Sequence, residues 1–218
     1  MALTKFNFNS FDLTTVASTG LAFNSSANGF DTAAPGAMTL IATNTISSGV
    51  SSSSFTSGID STYDTYMFKF INIHPASDGV RFHFQVSTNG GSSYGITATT
   101  TSFYAEHPED DAYTGLGYNS SDDLAQSTSY QNISANSDMG NENDESISAM
   151  LFLFSPSNTS FVKHFILTGS FNDNINRAQN PYVAGYFNTT SAINAIDFKM
   201  SSGNIDSGVI KMYGLSKS

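Results

Sequence analysis

The chain of 218 residues contains no Cys and no Trp, and only 12% of it is charged. Without Cys there is no disulfide and no thiolate zinc or iron–sulfur site. With 8 Lys+Arg dispersed along it, the chain cannot neutralise many phosphates, which argues against sequence-independent nucleic-acid binding and against an anionic membrane surface. No stretch reaches the eighteen or so consecutive apolar residues of a transmembrane helix. The opening Met1-Ala-Leu-Thr-Lys5-Phe-Asn lacks the apolar core of a signal peptide, so synthesis in a cytoplasm is expected.

What the chain has instead is small polar residues and aromatics. Ser, Thr and Asn make up 77 residues, and 18 Phe and 10 Tyr stand among them. Small polar side chains suit strand faces and turns better than helix surfaces. That many aromatics separate the composition from that of a disordered chain. The expectation is a folded all-β protein.

Hydrophobic alternation locates the strands. Met38 to Thr43 is a short β run, followed by a Gly/Ser link from Ser47 to Ser54. Tyr63 to Ile73 is the clearest strand, with Tyr66, Phe68 and Phe70 on one face. Pro75 and Gly79 end it. Arg81 to Val86 places Phe82, Phe84 and Val86 inward and Arg81, His83 and Gln85 outward. Asn89-Gly90-Gly91 reads as a tight turn into Tyr94–Phe103, so an antiparallel pair is expected there. Ile147 to Phe154 is a nearly continuous apolar run, as for a strand buried on both faces. Phe161–Phe171, Tyr182–Phe187, Ala195–Met200 and Val209–Leu215 complete the series. Nine or ten short strands without an amphipathic helix or a fixed-period repeat predict a jelly-roll-like antiparallel β-sandwich. The domain occupies residues 36–218. Residues 1–35, with Phe6, Phe8, Phe11 and Leu13 among polar neighbours and turn signals at Asn28-Gly29 and Pro35-Gly36, read either as an N-terminal docking arm or as a peripheral strand.

The acids are concentrated. Glu106, Glu109, Asp110, Asp111, Asp122, Asp123, Asp138, Glu142, Asp144 and Glu145 lie in one segment without a Lys or Arg, and the remaining eight acids balance eight bases. The whole net charge of −10 therefore belongs to residues 106–145, read as a long acidic loop inserted into the sandwich. Its apolar residues (Tyr113, Leu116, Tyr118, Leu124, Tyr130, Ile133) are sparse and aperiodic. Long loops are where function concentrates.

The acids and histidines are the residues that could carry chemistry. Glu109-Asp110-Asp111 and Asp122-Asp123 are the candidates for a glycosidase pair, which needs two carboxylates facing across a cleft. The Trp on which a glycanase would stack sugars is missing, and a solvated loop is the simpler reading. Asp138, Glu142 and Asp144 concentrate hard oxygen ligands of the kind Ca²⁺ takes, but Gly140 does not stand where an EF-hand loop needs its glycine. His74, His83, His107 and His164 are the histidines; His83 and His164 fall on strands, where a solvated surface position is the simpler reading. No Gly-x-Ser-x-Gly elbow, phosphate-binding loop or His-Glu-x-x-His occurs. Five sequons (Asn24, Asn119, Asn132, Asn158, Asn188) arise by chance in such a composition and carry no weight. No catalytic, cofactor-binding or metal residue is assigned.

The run Phe55-Thr-Ser-Gly-Ile-Asp-Ser-Thr-Tyr63-Asp-Thr-Tyr66-Met-Phe-Lys-Phe-Ile-Asn-Ile-His74-Pro resembles a module that recurs in structural proteins of tailed bacteriophages, especially marine ones. Ile193 to Leu215, closing on Gly208-Val-Ile-Lys211-Met-Tyr-Gly214, looks like the final strands of that module. Phe161-Val-Lys-His164-Phe and Asn143-Asp-Glu-Ser146 also match, and the resemblance spans residues 40 to 215. It implies a non-enzymatic virion component: an outer-capsid decoration or capsid appendage, or alternatively a short tail-fibre tip that recognises host surface glycan. It further implies assembly with itself as a homotrimer and contact with other virion proteins such as the major capsid protein. No cofactor is implied. A depolymerase using the acidic carboxylates is the third reading.

Overall fold

A computed structural model describes residues 21–23, 30–32 and 37–215. The chain divides into two units, residues 1–37 and 38–218. In the first, β1 (Leu21–Phe23) and β2 (Phe30–Thr32) pair antiparallel. The docking-arm expectation otherwise falls on residues outside the described set.

The second unit is an antiparallel β-sandwich with unequal layers. Its strands are β3 (Met38–Ile46), β4 (Ser53–Phe55), β5 (Thr65–Pro75), β6 (Phe82–Ser87), β7 (Ala98–Pro108), β8 (Gly115–Tyr118), β9 (Gln131–Asn132), β10 (Ile147–Phe154), β11 (Lys163–Asn172), β12 (Arg177–Phe187), β13 (Ala195–Met200) and β14 (Ile205–Leu215). The large sheet has eight strands in the order β3-β14-β5-β10-β11-β12-β7-β8, and the small sheet has four, β4-β13-β6-β9. The last two strands enter between earlier ones, β13 between β4 and β6 and β14 between β3 and β5, so the two ends of the unit interlock.

The pair expected across Asn89-Gly90-Gly91 does not form. β6 belongs to the small sheet and β7 to the large one. The second strand begins at Ala98, not Tyr94, and the intervening stretch is long enough to cross the layers, which lie about 10 Å apart in packed sheets. Gly90 and Gly91, both at positive φ, still supply the turn, but it is an inter-sheet corner.

Between the layers lies an aromatic core. Phe198, fully buried on β13, has ring centroids 4.9–6.5 Å from Phe70, Phe68, Phe82, Phe55 and Phe84. Such tilted and edge-on pairs use the ring quadrupole as well as burial. Tyr66, Phe68 and Phe70 face inward as the alternation predicts, but the next inward residue is Ile73. The register on both neighbours slips around Asn72, whose φ is +47°, which marks a bulge.

β10 is not covered on both sides. Ile147, Ala149, Leu151 and Leu153 enter the core, whereas Met150 is 40% exposed and Phe152 and Phe154 are half-buried on the outer face. Its unbroken apolar sequence therefore describes a core face and a second apolar face that the sandwich leaves open.

Candidate functional site

The acidic segment is the first candidate, and it is not a solvated loop throughout. From Pro108 the chain turns into β8, the edge of the large sheet, and then reaches β9, the edge of the small sheet. It thus joins the two layers along one side. Beyond Tyr130 nearly every residue to Gly140 is buried, and Ile133, Ala135 and Met139 are fully enclosed core residues. Their spacing follows neither a strand nor a helix, which hid them from pattern reading.

Two arginines fasten this segment. Arg81, just before β6, donates from Nε to Asp138 Oδ1 at 2.6 Å and from a terminal nitrogen to Asp122 Oδ1 at 2.5 Å. Asp122 also accepts from Asn119 (2.6 Å), Asn132 (3.2 Å) and the Asn136 amide (2.7 Å). Burial alone would weaken the Arg81 charge; Asp138 and Asp122 outweigh it and raise its pKa. Arg177, at the start of β12, pairs with Asp173 Oδ2 at 2.7 Å and Glu106 Oε2 at 2.9 Å, and also reaches Ser137 and Tyr113. Gln179 and Asn136 donate to the same Glu106 oxygen. Glu145, buried, turns back to accept the Glu142 amide at 2.6 Å. It fills the space a side chain on residue 140 would need, so a larger residue there would displace this carboxylate.

These contacts engage several of the acidic side chains. Asp138 is committed to Arg81 and Glu145 to a backbone amide, while Glu142 and Asp144 stand exposed. Among the described residues no three His, Cys, Asp or Glu side chains are grouped to hold a metal ion. Of the suggested carboxylate pairs, Glu109, Asp110 and Asp111 lie exposed in the turn after β7. Asp122 is inside the Arg81 network, and Asp123 accepts from Tyr118 Oη at 2.6 Å.

The histidines are dispersed. His83 is not a solvated surface residue: it is half-buried on β6, opposite Lys199 and Asn132. Burial, with Arg81 and Lys199 close by, pushes its pKa down to about 4, so the ring is neutral at pH 7. The polar face of β6 is covered because residues 128–129 fold over it, and the fully enclosed Gln85 donates to the Ile96, Thr128 and Ser129 carbonyls. His107 meets Asp111 at 3.0 Å in the open. His164 is exposed beside Tyr186. His74 contacts the Glu142 carbonyl at 3.0 Å and Asp206 at 3.6 Å.

A group that sequence reading missed is Lys163, fully buried and without a carboxylate partner among the described residues. Its ammonium donates to the carbonyls of Phe161 (2.8 Å) and Thr189 (3.1 Å), and burial lowers its pKa. Strand parity carried the signal, since Lys163 shares the inward face with Phe165 and Leu167.

The second candidate is the outer face of the large sheet. Register aligns Leu40, Tyr213, Met67, Phe152, Ile166 and Ala184 in one row across six strands. The adjacent row carries Met150, Thr168, Tyr182, Phe103 and Tyr118, with Phe103 and Tyr182 stacked at 4.7 Å. Leu40 (51%), Tyr118 (57%) and Phe103 (42%) are notably exposed. Where this face meets the Asn72 bulge, a polar furrow of about 320 Å³ is lined by Asn72, His74, Asn143, Asp144, Asp206 and Ser207. Asp144 and Ser146 also border a neighbouring cleft of about 510 Å³ that extends to His107 and Glu109.

A scan against protein-family models and a search of curated proteins both gave no match to this chain.

Proposed function

We propose that this chain is a non-enzymatic structural subunit of a bacteriophage virion, an outer-capsid decoration or capsid appendage that assembles as a homotrimer and contacts other virion proteins. The observation that carries the reading is the outer face of the large sheet. Among the described residues, Leu40, Phe103, Tyr118, Met150 and Ile166 lie open to water there. An apolar patch of that extent is characteristic of an assembly surface. The resemblance of residues 40–215 to phage structural modules supports the virion as the setting. The arginine-fastened acidic segment suits a particle component that must persist outside a cell.

A second reading has its own observation. The polar furrow at Asn72, His74, Asn143, Asp144 and Asp206 presents amide, imidazole and carboxylate groups suited to sugar hydroxyls, as a tail-fibre tip that recognises host glycan would require. Quantitative mass spectrometry of purified particles separates the two. A copy number on the scale of the capsid subunits supports decoration, a few trimers per particle moves the chain to the tail, and absence from particles overturns both. Release of reducing ends from host polysaccharide would overturn the non-enzymatic assignment.

A further inference from the structure

Six of the eight Lys and Arg residues lie among the described residues. Arg81 and Arg177 are ion-paired, Lys163 is bonded to carbonyls, and the Lys199 ammonium sits 4.0 Å over the Tyr130 ring. Lys69 and Lys211 remain, with no ion pair or hydrogen bond among the described residues, and they stand directly opposite each other on β5 and β14. Like charges so placed repel and cost stability. Both belong to the outer-face row that continues into Met150, Thr168, Tyr182 and Phe103. Lys69 is exposed and borders a trough of about 410 Å³ with Ser148, Met150 and Thr168.

The complement stands at the far edge of the same sheet. β14 is one strand from the β3 edge, and the turn between β7 and β8, at the opposite edge, holds exposed Glu109, Asp110 and Asp111. An occupant of this face must supply apolar area and carboxylates, and this chain supplies both. The area is sufficient: eight strands of four to eleven residues, spaced about 4.8 Å apart with a rise of about 3.3 Å per residue, present a face of about 1,200 Å², against about 800 Å² per partner in a stable interface.

We infer that the outer face docks a second copy of this chain, the Glu109–Asp111 turn of one copy meeting the Lys69–Lys211 pair of the other. The inference rests on the assembly reading for the outer face alone and does not depend on the position in the particle.

Analytical ultracentrifugation of the full chain tests it. The parent assembles at about 100 μM and low salt, and added salt weakens the assembly by screening the charged contact. Lys69→Glu/Lys211→Glu and Glu109→Lys/Asp110→Lys each weaken self-association by at least about tenfold while keeping the parent's circular dichroism. Mixed together, the two variants co-assemble, which a misfolded variant could not do. A monomeric parent, a Lys69→Glu/Lys211→Glu protein that assembles as the parent does, or a mixture that stays apart overturns the inference. The copy number on particles bears separately on the virion reading.

Discussion

Replacing Arg177 by Met removes the guanidinium from a nearly closed site while keeping the side-chain volume. The Arg177 side chain is 16% exposed, Asp173 0% and Glu106 11%, so little water compensates. Asp173 keeps the amides of Ile175 and residue 177 and the Gln179 amide group, and Glu106 keeps Gln179 and Asn136. Leaving one member of a buried pair unmatched costs about 3–5 kcal/mol, and these remaining donors place the loss near the lower end, about 3 kcal/mol. With a urea dependence of about 2.5 kcal/mol/M, the midpoint of unfolding drops by about 1.2 M. The loss also depends on pH. In the parent, burial opposes the Asp173 charge, but the bonds from Ser137 and Arg177 and the backbone amides prevail and lower its pKa. That stabilisation is present above the unfolded value near 3.8 and disappears as pH falls through the folded one. In the variant the buried carboxyl accepts a proton more readily, so the gap between variant and parent narrows from pH 7 to pH 4. A loss under about 1 kcal/mol, as for an exposed ion pair, or a gap that does not change with pH would refute the reasoning.

Two further outcomes follow from the same contacts. His83, with its pKa lowered to about 4, stays neutral in the folded chain between pH 6.5 and 4 while the unfolded chain takes up a proton, so it removes stability as pH falls through that window. His83→Gln flattens this part of the acid limb, and an NMR titration that finds an ordinary His83 pKa contradicts it. Calorimetric titration with Ca²⁺ gives no saturable heat, because Asp138 and Glu145 are already occupied by Arg81 and the Glu142 amide. Heat that vanishes in the Asp138→Ala/Glu142→Ala/Asp144→Ala variant would show that those contacts yield to the ion.

Much of the sandwich was legible because strand parity is local. Phe82, Phe84 and Val86 face inward as their alternation requires, and the β5 faces hold as far as Phe70. Past that point the Asn72 bulge shifts the parity, and nothing in Ile71-Asn72-Ile73 announces it. The site was less legible. Composition singled out residues 106–145, but it could not say that Asp122 would be buried against Arg81 or that Glu106 would meet Arg177. These partners are 41 and 71 positions apart in the chain.

The amino-acid sequence by itself determined the all-β class, the positions of most of the longer strands and the confinement of the net charge to one segment, since each depends on residue type and on spacing within a few positions. Only the tertiary structure decided that Asn89-Gly90-Gly91 crosses between layers, that the stretch from Gln131 to Gly140 of the acidic segment packs into the interior, and that two lysines are left facing each other on an open apolar sheet. Those outcomes depend on which strands become neighbours. Pairing is a long-range choice between strands whose local patterns are equally suitable, and the energy that decides it comes from contacts that exist only once the sandwich has closed.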